Sequence, residues 1–214
     1  MKNKITKYGV VILAYMLLGS NIYAQKKHFS IIDTTKIQNM ETLKFDTDYY
    51  EKNKDFDELN YTKKDGTTIR QYKSGYGEYV EEEYPPMPKL YYIYREYYLN
   101  GNIKTIGFML RTAFPIGVWK HYDEQGKVTE ENMDTGFGKF DYNKVFLFLY
   151  KEKYIDIKTG RGREEVTIGI DKALNCWKVN VWPVASNNYK GICYMLDLNT
   201  GKIKKKYKIS MGEG

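Results

Sequence analysis

Few side chains in this sequence could carry out chemistry, and their spacing does not bring them together. There are two histidines, His28 and His121. His121 sits in the alternating run Lys120-His121-Tyr122, which puts it on the exposed face of a strand. General acid or base work needs a partner for the imidazole, and none stands at a useful spacing. Carboxylates are more numerous: Asp46, Asp48, Asp55, Asp57 and Glu58 crowd one stretch, and a hard cation such as calcium takes several oxygens from a single loop. The stretch lacks the DxDxDG order with a distal glutamate, and Lys52 and Lys54 lie inside it. It therefore reads as a solvated loop, and no metal is expected. Glu81, Glu82 and Glu83 could donate or accept protons, but consecutive strand residues point to alternate faces. They read as an edge strand, Tyr79 to Glu83, whose charge discourages sheet-to-sheet association.

Gly75-Tyr76-Gly77 is a turn, since a phosphate cradle would need a following helix and usually a lysine. No G-x-S-x-G, H-E-x-x-H, Walker loop or C-x-x-C is present. Neither catalytic residues nor a cofactor are expected. Paired carboxylates of glycosidase type meet only in space, so a carboxylate-dependent polysaccharide hydrolase stays as a third reading of function.

The two cysteines, Cys176 and Cys193, are a possible disulfide that the strand pattern does not favour. Trp177, Val179 and Val181 alternate with the polar Lys178 and Asn180, and Ile192, Tyr194, Leu196 and Leu198 fall at alternate positions of the next apolar segment. Pairing Trp177 with Leu196, Val179 with Tyr194 and Val181 with Ile192 makes one apolar face. In that register Cys193 opposes Asn180 and lies roughly 13 Å from Cys176 at ordinary strand rise, beyond what a disulfide bridges.

The element that would position any site is the stretch from Leu90 to Asp134. Tyr97-Tyr98-Leu99-Asn100-Gly101-Asn102-Ile103 and Tyr122-Asp123-Glu124-Gln125-Gly126-Lys127-Val128 share a tyrosine, a glycine and a β-branched residue in the same order. A fixed period marks a repeated supersecondary unit, and here the unit is an aromatic strand, a polar glycine turn and a second strand, a β-hairpin. Tyr61 to Ile69, around Asp65-Gly66, is a possible third copy with one extra residue before the glycine. Thr67 to Tyr72 reads as a strand, and Pro85-Pro86-Met87-Pro88 closes that section. Beyond Thr135-Gly136-Phe137-Gly138, Asp141 caps a helix predicted from Tyr142 to about Tyr154, with Val145, Phe148 and Leu149 on one face. Strands follow at Glu165–Ile170, Asn175–Trp182, Gly191–Leu198 and Lys202–Ile209.

Gly117-Val118-Trp119-Lys120-His121-Tyr122 with the Gly126 turn resembles the MORN-repeat variant of the YwqK-type antitoxin family. The preceding copy departs from it, with Tyr92 and Tyr94 in place of Gly117 and Trp119. The resemblance implies a hairpin array used for binding or structure, with no catalytic residues to carry over. Tyr194 to Ile203, with its aspartate and Thr-Gly-Lys turn, resembles the end of a PepSY-type module, which implies binding or inhibition in the cell envelope.

The start of the chain gives a location. Lys2, Lys4 and Lys7 precede an apolar run from Tyr8 to Leu18 and a small residue at Ala24, the pattern of an export signal too short to span a bilayer comfortably. Removing those three lysines lowers the formal net charge from +7 to +4, which leaves little support for a nucleic-acid partner. No later apolar run could cross a membrane. Aromatic residues make up 16% of the chain, 22 of them tyrosines, and such rings suit half-exposed sheets.

The expected fold class is α+β, mainly antiparallel β: a hairpin-repeat sheet over 60–136, then one helix on a three-to-four-stranded sheet over 137–214. These follow a signal at 1–24 and an irregular segment at 25–59. The expected function is an exported, non-enzymatic, protein-binding or antitoxin-like protein, periplasmic or envelope-associated, that binds through Trp119, Tyr122, Tyr97 and Tyr94. A structural or glycan-binding envelope protein is the second reading.

Overall fold

The computed structural model describes residues 31–34, 44–182 and 190–210; the expected export signal at 1–24 lies outside them. The described chain is α+β, built from two antiparallel sheets and two α-helices. Helix α1 is Thr47–Asn53. The first sheet comprises β1 Glu58–Thr62, β2 Thr68–Lys73, β3 Tyr79–Tyr84, β4 Tyr91–Tyr97, β5 Ile103–Leu110, β6 Phe114–Tyr122 and β7 Val128–Asn132, each pairing with its sequence neighbours. Helix α2, Tyr142–Lys151, and a 3₁₀ turn, Arg163–Glu165, lead to the second sheet. Its strands are β8 Val166–Asp171, β9 Cys176–Val181, β10 Lys190–Asp197 and β11 Ile203–Ser210, again in sequence order. Among the described residues no helix is long and apolar enough to cross a membrane.

One turn geometry builds most of the first sheet. At Gly66, Gly77, Gly101 and Gly126 the glycine N–H donates to the carbonyl three residues back, and that residue's N–H returns a bond to the carbonyl just after the glycine. All four glycines have φ between +80 and +86, the left-handed region that L side chains avoid. The chain therefore reverses where the repeated glycines lead one to expect, and the Tyr61–Ile69 copy turns in the same way. Asp65, Asn100 and Asp123 support their turns by accepting backbone N–H groups through side-chain oxygens.

Helix α2 begins as its sequence implies, with Asp141 accepting the N–H of Lys144 at 3.0 Å. It ends at Lys151 rather than near Tyr154, because Lys153 adopts φ +64 and breaks the helical run. Tyr142, Val145, Phe146 and Leu149 are its buried residues, while Phe148 sits at the margin against Tyr194, ring centroids 5.2 Å apart. They join Ile93, Ile106, Phe108 and Ile116 of the first sheet and Trp177, Val179, Tyr194 and Leu196 of the second in one apolar cluster. The two sheets thus share a core.

Two local readings are corrected. Asp46 is not part of a solvated loop: its carboxylate accepts the N–H of Tyr49 at 2.9 Å and caps α1, which lays Tyr50 into the core. β3 is not an edge. It is the third of seven strands, and its glutamates are largely buried. The proline run after it is a connection between two interior strands.

Candidate functional site

Strand alternation divides the β3 glutamates between the two faces, and each face answers them with arginine. On the core side Arg95 Nη1 donates to Glu81 Oε1 and Glu83 Oε2, both at 2.9 Å, while Gln71 Nε2 donates to Glu81 Oε2 at 2.7 Å. A buried carboxylate pair of this kind needs such partners to offset its lost hydration.

The opposite face carries the candidate recognition surface. Register places Arg70, Glu82, Tyr94 and Gly107 in one row across β2 to β5. Glu82, 7% exposed, accepts from Tyr84 Oη at 2.6 Å, Tyr72 Oη at 3.3 Å and Arg70 Nη1 at 3.3 Å. Tyr84 stacks on Tyr92 with centroids 4.7 Å apart, and Tyr94 stacks on Trp119 at 5.7 Å. The Arg70 guanidinium lies 4.7 Å from the Tyr72 ring centre. Tyr72, Tyr84, Tyr92, Tyr94 and Trp119 belong to neither apolar cluster.

Burial pushes the phenols of Tyr72 and Tyr92 up to about 12, with Glu82 adding to the shift, and raises those of Tyr84 and Tyr94 in the same direction. Neutral phenols that hydrogen-bond through one atom and offer a ring edge suit recognition better than nucleophilic chemistry.

The four residues singled out from the sequence divide between the faces. Tyr94 and Trp119 meet on the recognition face, but Trp119 is only 7% exposed: its Nε1 donates to the Phe108 carbonyl and its indole covers Gly107. It supports the surface from beneath. Tyr97 is fully buried in the core, so it is a packing residue, not a contact. Tyr122 is half-buried against the same core, and its carbonyl accepts the Tyr98 hydroxyl at 2.8 Å. The residues that spacing did not reveal are Arg70, Tyr72, Glu82 and Tyr84. Period-two alternation marks their shared face, but only the pairing of β2 with β3 brings them together.

His121 has partners that spacing did not supply. Thr105 Oγ1 lies 3.3 Å from Nδ1 and Glu131 Oε2 lies 3.3 Å from Nε2. The order resembles a hydroxyl, base and acid relay, but Thr105 is buried and the contacts are long for an activated nucleophile. Cys176 and Cys193 are both free thiols, and β9 pairs with β10 in the register read from the apolar pattern, Cys193 opposite Asn180.

Fold and surface together define an α+β protein of two antiparallel meanders with an aromatic, hydrogen-bonded sheet face. Comparison with protein-family models, curated proteins and solved structures returns no match.

Proposed function

We propose that this chain is an exported binding protein that docks a protein partner on the Tyr72–Tyr84–Tyr94 face and performs no chemistry on it. The observation that carries the reading is the cluster around Glu82, where three half-buried tyrosines are held in fixed orientations. Rings immobilised before contact lose little side-chain freedom on binding, so their area converts efficiently into affinity. Export rests on the basic and apolar pattern of the first 24 residues. An antitoxin or immunity-like role, inhibiting a partner by covering it, is the form suggested by the hairpin resemblance.

The test compares the protein with a Tyr72→Ala, Tyr94→Ala double variant in pull-downs from periplasmic extract, followed by affinity measurement on the partner identified. Both side chains are half-buried, and native circular dichroism of the variant confirms that the sheet persists. Loss of that partner's affinity by at least about tenfold is expected. A folded variant that captures the same protein equally well rejects this face as the docking site. Retention of cell-wall glycan with no protein partner turns the reading to glycan.

A further inference from the structure

At one end of the first sheet, three connections converge with the 3₁₀ turn. They are the β1–β2 turn at Gly66, the Pro85–Pro88 loop and the β5–β6 turn carrying Arg111. Together with Arg163 they border an open cleft of about 330 Å³, whose walls include Thr68, Tyr84, Pro85 and Pro86. Two guanidiniums meet there in shelter from solvent, the Arg111 side chain 16% exposed and that of Arg163 10%.

Each guanidinium is only partly satisfied. Arg163 Nη1 donates to the Lys89 carbonyl at 2.7 Å, and Arg111 Nη2 donates to the Pro85 carbonyl at 3.3 Å. The Tyr84 ring lies 5.0 Å from the Arg111 guanidinium. Arg111 Nε is buried without a hydrogen-bond partner among the described residues. The nearest anion is the carboxylate of Glu164, whose Oε1 lies 2.9 Å from Arg163 Nε and 3.6 Å from Arg111 Nη1. Its side chain is 64% exposed, so it reaches in from solvent and brings one negative charge to two positive ones. Burial, and next the charge of Arg163, lower the pKa of Arg111. The like-charge contact is thus incompletely offset.

We propose that this cleft is a binding site for a tetrahedral oxyanion, a phosphate or sulfate, either free or carried on a compact, monosaccharide-sized body that rests on Tyr84 and the proline walls. Paired guanidiniums offer fixed, convergent donors to such a group. Two arginines match a dianion once Glu164 swings outward, whereas a carboxylate ligand would merely replace the one already there. Glu164 is then a built-in competitor that occupies the arginine donors until the ligand arrives. The site adjoins the sheet face proposed for partner docking and shares Tyr84 with it.

Calorimetric titration of the purified protein at constant ionic strength tests this, with inorganic phosphate, inorganic sulfate, a hexose phosphate and acetate as probes. Saturable one-to-one binding of phosphate or sulfate, with acetate much weaker, is expected. Tighter binding of the hexose phosphate than of free phosphate identifies the carried source, and equal binding the free ion. Arg163→Gln should weaken binding by at least about tenfold. Because that change also removes the link to Lys89, the exposed Glu164→Gln variant provides a second test. It should stay folded and bind several-fold more tightly, roughly threefold or more. Phosphate and sulfate binding no better than acetate, or binding unchanged or weakened in Glu164→Gln, overturns the proposal.

Discussion

Glycine at position 107 has a role that belongs to another residue. Opposite it, β6 departs from regular pairing: Ile106 opposes Lys120 while Phe108 opposes Ile116, leaving residues 117–119 as a bulge against one residue. The bulge lets Trp119 lie across the strand, and only a residue without Cβ leaves room for the indole, since a methyl there would overlap its ring atoms. Trp119 in turn supports Tyr94, so one hydrogen atom at position 107 underlies the recognition face. Gly107→Ala should destabilise the protein by about 1–3 kcal/mol, the usual cost of overpacking. It should also disturb the near-ultraviolet circular dichroism of the tryptophan, and a variant with unchanged denaturation midpoint and unchanged spectrum would count against the packing described.

Among the elements, turns are where sequence and structure agree most closely, and the β5–β6 connection is the exception that explains why. Ala113 occupies the left-handed position that glycine fills elsewhere, with φ +58, and its N–H still donates to the Leu110 carbonyl. The same backbone reversal is therefore built from a residue that carries no turn signal in the sequence. Two exchanges test the equivalence. Ala113→Gly should be neutral or stabilising by up to about 1 kcal/mol, as relief of strain competes with the added freedom of the unfolded chain. Gly101→Ala should cost about 1–2 kcal/mol, with its new methyl pressed against the Phe45 carbonyl; denaturant titration of both variants measures the difference. The β9–β10 register and the start of α2 were legible for a similar reason: apolar alternation and an aspartate cap are local signals. The position of β3 was not legible, because whether a glutamate-rich strand is an edge depends on Arg95, 14 residues from Glu81, and on a strand that pairs beyond a proline loop. The arginine cleft was hidden more deeply still, since its two cations lie 52 positions apart (111 and 163) in segments with no shared pattern.

At the scale of the whole molecule, the phenols couple stability to alkaline pH. Burial pushes Tyr72 and Tyr92 on one sheet, and Tyr142 and Tyr154 on the helical side, up to about 12, against roughly 10 in an unfolded chain. Between those values the unfolded chain loses protons that the native protein keeps. The stabilisation is therefore fully present below about pH 10 and is lost as the pH rises through about 12. Phenolate absorbance should show one population ionising near pH 10 and a second appearing together with unfolding at higher pH. A single transition near pH 10 with native circular dichroism retained would contradict the burial of these rings.

In both sheets every strand bonds only to the strand before or after it in the chain. Few ladder contacts must wait for a distant partner, so contact order is low for a β-rich protein, and assembly should be rapid. Pairing can spread hairpin by hairpin as successive segments become available, and a chain delivered gradually through a narrow passage could begin to structure its leading sheet before its tail arrives.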